Sequence, residues 1–199
     1  MAKVLILYYS SYGHIEEMAR AAAEGVETTG AKAALKRVPE TVPQKVVETA
    51  KFQINTEHPE ADPNDLVAYD AVICGTPTNY GNMCSQMSAF WSRTTPLWKR
   101  GALIGKLGGA FSSTASQHGG NEAAILSMHK TLLHHGFVLV GLPYSFKGQL
   151  ETGHAVGGSP YGATTIADSD LSRRPSVTDL EGAKFQGRHT AEIAVRLFG

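Results

Sequence analysis

The sequence lacks several features that define large classes of proteins. It has only two cysteines in 199 residues, Cys74 and Cys84, so neither a disulfide scaffold nor zinc-ligand spacing is available. No apolar run approaches the roughly 20 residues of a membrane-spanning helix, and no signal-peptide pattern precedes the first apolar run. We therefore expect a protein of the reducing cytoplasm, with no metal site, no membrane partner, and Cys74 as a small core residue.

An excess of charge of one sign is also missing. The 18 basic and 18 acidic residues give a formal net charge of zero, and the basic pairs, such as Lys36-Arg37 and Lys99-Arg100, are scattered along the chain. A surface that binds nucleic acid or an anionic membrane needs a clustered basic patch. We expect neither kind of partner.

An apolar run at residues 4–9 leads directly into the hydroxyl-rich loop Ser-Ser-Tyr-Gly-His at residues 10–14. The run is long enough for a strand that is buried on both faces. Apolar residues then recur at helical spacing from Ile15 to Val26. A strand that runs through a short loop into a helix collects free backbone N–H groups and the positive end of the helix dipole around one cavity. The pattern predicts a phosphate-binding loop.

The same loop lacks the residues of common phosphate motifs. Neither G-x-x-x-x-G-K-[ST] nor G-x-G-x-x-G is present, and no Lys or Arg lies between Lys3 and Arg20. Neutral donors must then bind the anion, which favours the phosphate monoester of a larger cofactor. An alternative is that Ser10, Ser11 and Gly13 merely cap the helix.

The remaining patterns alternate between strands and helices. Strands are predicted at residues 31–38, 71–74, 106–112 and 137–140, and helices at 83–92, 121–135 and 177–197. This order predicts an α/β fold, with residues 1–199 as one domain and a parallel sheet with right-handed crossovers. In a doubly wound five-stranded sheet of order 2-1-3-4-5, with helices on both faces, the loops at 10–14, 76–82 and 112–120 meet at the carboxyl edge.

Three further predictions concern the helices and the inserted loops. The buried faces of the helices are predicted to be formed by Met87, Phe90 and Trp91, by Ile125, Met128 and Leu132, and by Ala191, Ala194 and Val195. Residues 40–63 read as a solvent-facing insertion, and residues 96–101 as a connection. The segment 141–175 is too long to serve only as a connection between two elements, so we expect it to close the site or contact another subunit. Arg173 and Arg174 are expected in a solvated or intersubunit loop.

Three polar, glycine-bearing stretches, at residues 8–14, 75–83 and 111–120, carry a resemblance to a known family. Leu-His-His-Gly at 133–136 and Gly-Gly-Ser-Pro-Tyr-Gly-Ala-Thr-Thr at 157–165 extend it. Over nearly the whole chain the sequence resembles the WrbA family of flavodoxin-like NAD(P)H:quinone oxidoreductases. The resemblance implies a flavodoxin-like fold, FMN as cofactor, NADH or NADPH as electron donor, a quinone substrate, and a cytoplasmic homotetramer.

The resemblance also implies a set of site residues. The ribityl phosphate of FMN would be bound by Ser10, Ser11, Tyr12, Gly13, His14 and Ile15. The isoalloxazine would be lined by Thr78, Asn79, Tyr80 and Gly81, and the third FMN loop would consist of Ser113, Thr114, Ala115, Ser116, Gln117 and His118. Tyr12 would also contact the nicotinamide nucleotide, Trp98 would contact the quinone, and His134 would reach the flavin from the following helix.

The residue chemistry agrees with this assignment. Backbone N–H groups in glycine-rich loops stabilise the negative charge of a reduced flavin, and Tyr80 and Trp98 could frame a flat substrate. Nicotinamide nucleotide and quinone would use one open flavin face in turn, which predicts ping-pong kinetics. Because His134 and His135 diverge by about 100° on a helix, they cannot chelate one metal, and one should face the site while the other faces solvent or a neighbouring subunit.

A different class of function remains open. A flavodoxin-type electron carrier, or a non-catalytic FMN-binding module, would dock on protein partners and would use the same loops. Carriers usually steer their partners with one strongly charged surface, and the balanced charge of this chain counts against that alternative.

Overall fold

Seven strands form one sheet in the computed structural model, which describes residues 1–199. They are β1 (Lys3–Tyr8), β2 (Lys32–Arg37), β3 (Ala71–Asn79), β4 (Asn82–Met83), β5 (Leu107–Thr114), β6 (Val138–Leu139) and β7 (Thr164–Ile166). Five of these strands form a parallel sheet in the order β2-β1-β3-β5-β6. When β4 and β7 are set aside, this is the predicted order 2-1-3-4-5.

The two additional short strands correct the prediction of five. Strand β4 pairs antiparallel with the end of β3, because Tyr80 and Gly81 both have positive φ and close a two-residue hairpin. Strand β7 pairs in parallel with the carboxyl half of β5, whereas β6 pairs only with its first two residues. The segment after β6 therefore returns to the sheet and flanks β5 at its carboxyl end.

Six α-helices cover the sheet. They are α1 (His14–Glu27), α2 (Gln44–Thr49), α3 (Ser85–Ser92), α4 (Thr95–Lys99), α5 (Asn121–His134) and α6 (Val177–Phe198), with 3-10 turns at Pro63–Ala68 and Lys147–Leu150. The predicted connection at 96–101 is in part helix α4, with Pro96 in its first turn, where a missing N–H costs nothing. None of the helices combines the length and apolarity that crossing a membrane requires.

The sheet separates two apolar cores. Strand β1 contributes to both, since Val4 and Ile6 pack with α1 and α6, whereas Leu5 and Leu7 pack with α3 and α5. The predicted buried faces of α3 and α5 are confirmed, and Cys74 is a core residue. In α6, Ala191 and Ala194 are buried as predicted, but Val195 is exposed because it lies one step, about 100°, around the helix from Ala194.

Helices α1 and α6 approach each other at glycines. A Cβ atom on Gly25 would lie 1.9 Å from the Lys184 carbonyl oxygen, and one on Gly187 would lie 2.0 Å from the Ala22 carbonyl oxygen. Only glycine permits backbones to come this close. Helix α6 therefore supports α1 directly along its length.

Candidate functional site

A cavity of about 430 Å³ lies at the carboxyl edge of the sheet. It is lined by the three predicted loop regions together, through Ser10, Ser11, Tyr12, His14 and Ile15, through Thr78 and Asn79, and through Ser113, Thr114 and Ala115. The volume is in the range of protein sites for small molecules and cofactors. The structure thus brings together ten of the residues that the sequence assigns to one site.

The first of these regions is the turn from β1 into α1. Gly13 is the residue that precedes α1, with φ of 88°, and its N–H donates to Ser10 Oγ at 3.0 Å. No side chain caps the first-turn N–H groups of α1. This argues against the capping alternative, because these groups and the helix dipole remain available to an anion.

His14 has a polar atom that the protein leaves without a partner. The residue is 4% exposed and lines the cavity, and its Nε2 makes no hydrogen bond to the protein. Burial, and next the nearby positive charge of Arg174, lower the pKa of the imidazole below its usual value. A buried ring nitrogen without a partner at a helix N-terminus suits a bound phosphate group, which can satisfy it.

The second region is the hairpin between β3 and β4. Thr78 and Asn79 belong to β3, which extends past the predicted end at residue 74. Tyr80 at the hairpin tip is 99% exposed and Gly81 has φ of 76°; neither lines the cavity. A Cβ on Gly120 would lie 3.0 Å from the Gly81 Cα, so the second and third regions touch at this point.

The third region is divided between two cavities. Ser113 and Thr114 are buried at the end of β5, and the Thr114 hydroxyl donates to the Ser116 carbonyl at 2.6 Å. Gln117 and His118 instead line a neighbouring polar cavity of about 340 Å³, together with parts of residues 156–166. Ser116 lines neither cavity.

Two predicted residues lie at the other edge of the sheet. His134 ends α5, whose 14 residues at 1.5 Å each carry the chain about 20 Å from the third region. Trp98 is in α4, which follows Thr94, and the Thr94 hydroxyl lies 2.9 Å from His135 Nε2. His135 is thus the buried member of the pair and His134 the exposed one. Within one chain, neither Trp98 nor His134 meets the cavity.

Nine further residues that were not singled out from the sequence also line the cavity, among them Pro77 in the second loop and Ala167 and Leu171 in the segment 141–175, which was expected to close the site or contact another subunit. They are Tyr9, Val42, Phe52, Pro77, Cys84, Ser85, Gln86, Ala167 and Leu171. The position of Cys84, Ser85 and Gln86 directly after the second loop, at the start of a predicted helix, could have indicated them. Val42 and Phe52 lie in the insertion and could not have been found in this way.

Most residues of the insertion at 40–63 are exposed, as predicted, but its inner side packs on the first loop. The Gln53 N–H donates to the Ser11 carbonyl at 2.7 Å, and the Tyr12 hydroxyl donates to the Ala50 carbonyl at 3.2 Å. The rings of Tyr12 and Phe52 meet edge to face at a centroid distance of 5.4 Å. These contacts fix the Tyr12 ring beside the cavity.

A polar network joins the insertion to β1 and α3. The Tyr9 hydroxyl and the Gln86 amide both donate to the Glu40 carboxylate, which also accepts from the N–H groups of Thr41 and Val42. Burial raises the pKa of the Tyr9 hydroxyl. Burial also acts to raise the pKa of Glu40, but the hydrogen bonds from Tyr9, Gln86 and the backbone outweigh it and hold that pKa below its usual value.

Comparison with known proteins agrees with this architecture. The family model described as NADPH-dependent FMN reductase matches residues 2–149. Proteins named NAD(P)H dehydrogenase (quinone) are 56% identical over 197 residues in Gluconacetobacter diazotrophicus, covering 99% of both chains, and 55% identical over the full length of both chains in Acidovorax ebreus.

Solved structures give the same result for the fold. The flavodoxin, WrbA-like protein from Agrobacterium tumefaciens superposes with a TM-score of 0.69 at 25% identity, covering 98% of this chain and 99% of its own. An archaeal flavodoxin superposes with a TM-score of 0.63 at 19% identity, covering 97% and 99%. The chain therefore belongs to the NADPH-dependent FMN reductase family, and within it to the WrbA-like proteins with a flavodoxin-like fold, as the resemblance of its loops predicted.

Proposed function

We propose that this protein is an FMN-dependent NAD(P)H:quinone oxidoreductase. The observation that carries the proposal is the cavity at the carboxyl edge of the sheet, where the unpartnered Nε2 of His14 and the uncapped N-terminus of α1 face one space. When bound there, FMN supplies the two-electron chemistry that links a nicotinamide nucleotide to a quinone. The names of the relatives at 55–56% identity support the same reaction.

The residues of the cavity fit the parts of this cofactor. Residues 10–15 would hold the phosphate with backbone N–H groups, the hydroxyls of Ser10 and Ser11, and the imidazole of His14. Thr78 and Asn79 would line one side of the ring system, and Ser113, Thr114 and Ala115 the other. Tyr80, Gly81 and residues 116–118, which lie outside the cavity, would contact FMN only at the edge of the site. Neutral donors suffice at the phosphate because the helix dipole contributes positive potential there.

Two aromatic side chains are suited to position the flat substrates. Tyr12 is held by Ala50 and Phe52, so its ring can contact a nicotinamide with little loss of side-chain entropy. Tyr80 projects from the hairpin with no covering residue and can form a wall of the opening. Both substrates would occupy this one opening in turn, for which parallel lines in double-reciprocal plots are the expected kinetic pattern.

We also propose that the active protein is a homotetramer in which neighbouring copies supply Trp98 and His134. Both side chains are exposed at the edge opposite the cavity. Ile104, Leu133 and Val138 are also exposed at that edge, with 71%, 57% and 53% of their surface accessible. Large apolar side chains grouped in this way mark an interaction surface. A second copy seated there would bring Trp98 and His134 to a cavity that lacks them.

We place the protein in the cytoplasm in this proposal. Both of its cysteines are free thiols inside the core, which suits a reducing compartment.

The decisive experiment for the activity begins with the spectrum of the purified protein. We expect flavin bands near ~370 and ~450 nm. Without air, NADH or NADPH should bleach these bands within the mixing time, and benzoquinone should restore them. A flavin that both nucleotides leave unbleached would instead support the electron-carrier alternative, and a colourless protein that takes up no FMN from excess would contradict the cofactor assignment.

The shared site can be tested by mixing two impaired variants. Ser10→Glu should abolish FMN binding but keep Trp98, whereas Trp98→Ala should keep FMN but lose the quinone contact. When the two chains are coexpressed with different tags and mixed assemblies are isolated, activity at low quinone concentration should exceed that of either parent. Activity equal to the average of the parents would show that each site is built from one chain.

A further inference from the structure

Arg174 lies against the outer side of the phosphate loop. Its Nη1 donates to the Tyr12 carbonyl oxygen at 2.9 Å, although 162 positions separate the two residues in the chain. Its Nε donates to Glu17 Oε1 at 2.9 Å, and its Nη2 also contacts that oxygen. The guanidinium group therefore connects the loop carbonyl to the first turns of α1.

The contact with the Tyr12 carbonyl determines where the next N–H points. All peptide bonds of the chain are trans, and the C=O and N–H of a planar trans peptide point in opposite directions. The Tyr12 carbonyl faces outward to Arg174, so the Gly13 N–H faces inward, where it meets Ser10 Oγ at 3.0 Å. By binding the Tyr12 carbonyl, Arg174 therefore also keeps the Gly13 N–H pointing into the loop.

Gly13 makes this restraint both possible and necessary. A Cβ at this position would lie 2.8 Å from Arg174 Nη2, so a side chain would obstruct the guanidinium. Gly13 has φ of 88°, a conformation that glycine adopts easily because it has no Cβ. For the same reason glycine can also leave this conformation easily. Without the Arg174 contact, the hydrogen bond to Ser10 Oγ alone would keep the peptide that precedes Gly13 from turning its N–H away from the loop.

The backbone next to Arg174 is held in place by contacts of its neighbour. The neighbouring Arg173 donates to the carbonyl oxygens of Ile166 and Ala155, and its guanidinium lies 3.7 Å from the buried carboxylate of Asp179. Glu17 forms an ion pair with Arg174 and offsets part of its charge, although Arg174 still lowers the pKa of His14. The salt dependence of FMN affinity separates this remaining charge effect from the orientation of the peptide.

We infer that Arg174 is a positioning residue for the FMN phosphate, which holds the Tyr12–Gly13 peptide so that its N–H faces the phosphate loop. This role differs from that of a solvated or intersubunit arginine, which the sequence suggested. It rests on FMN as cofactor and is independent of the quinone.

The test compares FMN with riboflavin, which lacks the phosphate. Full-length protein freed of flavin is titrated with each compound, and quenching of flavin fluorescence gives the dissociation constants. Arg174→Met should weaken FMN binding roughly five- to twentyfold, the scale of one partly compensated hydrogen bond to a charged group. Riboflavin binding should change less than about twofold on the same reasoning, because the loop contributes little to it.

Lys184→Met is the matched control. Lys184 and Glu24 also form an ion pair between the C-terminal part of the chain and α1, at 3.0 Å and with both side chains partly exposed, but away from the loop. This variant should leave both dissociation constants unchanged. Wild-type protein that binds riboflavin but gains nothing from the phosphate would contradict the cofactor assignment, and not the role of Arg174 alone.

Three results would overturn the inference. One is unchanged FMN affinity in Arg174→Met, and another is an equal loss for FMN and riboflavin, which would indicate general loosening of the fold. The third is a smaller dependence of FMN affinity on salt concentration in the variant than in the wild type, because that would show direct attraction between charges. An equal salt dependence, together with a selective loss of FMN affinity, supports positioning.

Discussion

The side-chain amide of Gln86 donates to the Glu40 carboxylate over 2.7 Å, and this contact connects α3 to the insertion that covers the first loop. We predict that Glu40→Ala lowers the free energy of unfolding by about 1–3 kcal/mol, because several donors lose one shared acceptor. Weaker FMN retention should follow, since the insertion also holds Ser11 and Tyr12. Urea unfolding and ultrafiltration of the flavin measure the two effects.

Glu48→Ala provides the control within the same insertion. Glu48 lies in α2, where its carboxylate accepts an exposed hydrogen bond from Gln44 at 3.0 Å. We expect this variant to change the unfolding free energy by less than about 0.5 kcal/mol. If both variants were equally stable, the network at Glu40 would not hold the insertion in place.

Ser10→Glu should release FMN. The substitution removes the oxygen that accepts from the Gly13 N–H and introduces a carboxylate where a phosphate is to bind. The ratio of flavin absorbance to protein absorbance in purified samples measures retention, with Ser88→Glu, an exposed position in α3, as the control. Stoichiometric flavin in the Ser10 variant would argue against a phosphate at this loop.

Trp98→Ala should raise the KM for quinone more than it weakens FMN binding. The side chain is 55% exposed in one chain and has a large apolar surface to offer a flat substrate. We expect an increase of about tenfold in KM, equivalent to about 1.4 kcal/mol. Steady-state kinetics and flavin titration give the two numbers, and equal losses in both would contradict the role in quinone binding.

Val177→Ala is the control for Trp98, since Val177 is another exposed apolar residue, at the start of α6, and does not line the cavity. Its kinetic constants should match those of the wild type.

Three buried histidines make the apoprotein sensitive to mild acid. Burial is the main cause that lowers the pKa of His14, His129 and His135 below the usual value of 6.5. As the pH falls through 6.5, the unfolded chain takes up protons that the folded chain does not. Above pH 6.5, these histidines therefore do not lower the free energy of unfolding. Below pH 6.5, the free energy of unfolding decreases by at most about 1.4 kcal/mol per pH unit for each histidine.

Urea unfolding of the flavin-free protein between pH 8 and pH 5 tests this prediction. His129→Leu should give a flatter profile, because His129 Nε2 is buried without a partner and the substitution removes its titration. An unchanged slope in that variant would mean that His129 does not resist protonation in the folded state.

The sequence predicts the parts of this protein that depend on local pattern. The buried strand before Ser10, the apolar face of α1 and the convergence of three loops follow from hydrophobic periodicity and from the rule for doubly wound sheets. Strands β4 and β7 have only two and three residues, which is too short for a periodic signal. Their pairing depends on the hairpin at Tyr80 and on the return of a distant segment.

The rest of the site depends on contacts that the sequence does not encode locally. The insertion meets the first loop through the backbone N–H of Gln53, a group that every residue except proline possesses. The burial of His135 instead of His134 depends on the position of Thr94, which lies 41 residues earlier in the chain. Adjacent histidines on a helix are distinguished only after the neighbouring elements are in place.

The close approach of α6 to α1 at Gly25 and Gly187 has a consequence for biosynthesis. The helix that presents its N-terminus to the phosphate is covered by the last 22 residues before Gly199, so a growing chain that lacks them leaves one side of α1 in water. Translation must therefore proceed past α6 before α1 is covered on this side. A variant truncated before Val177 should purify without flavin.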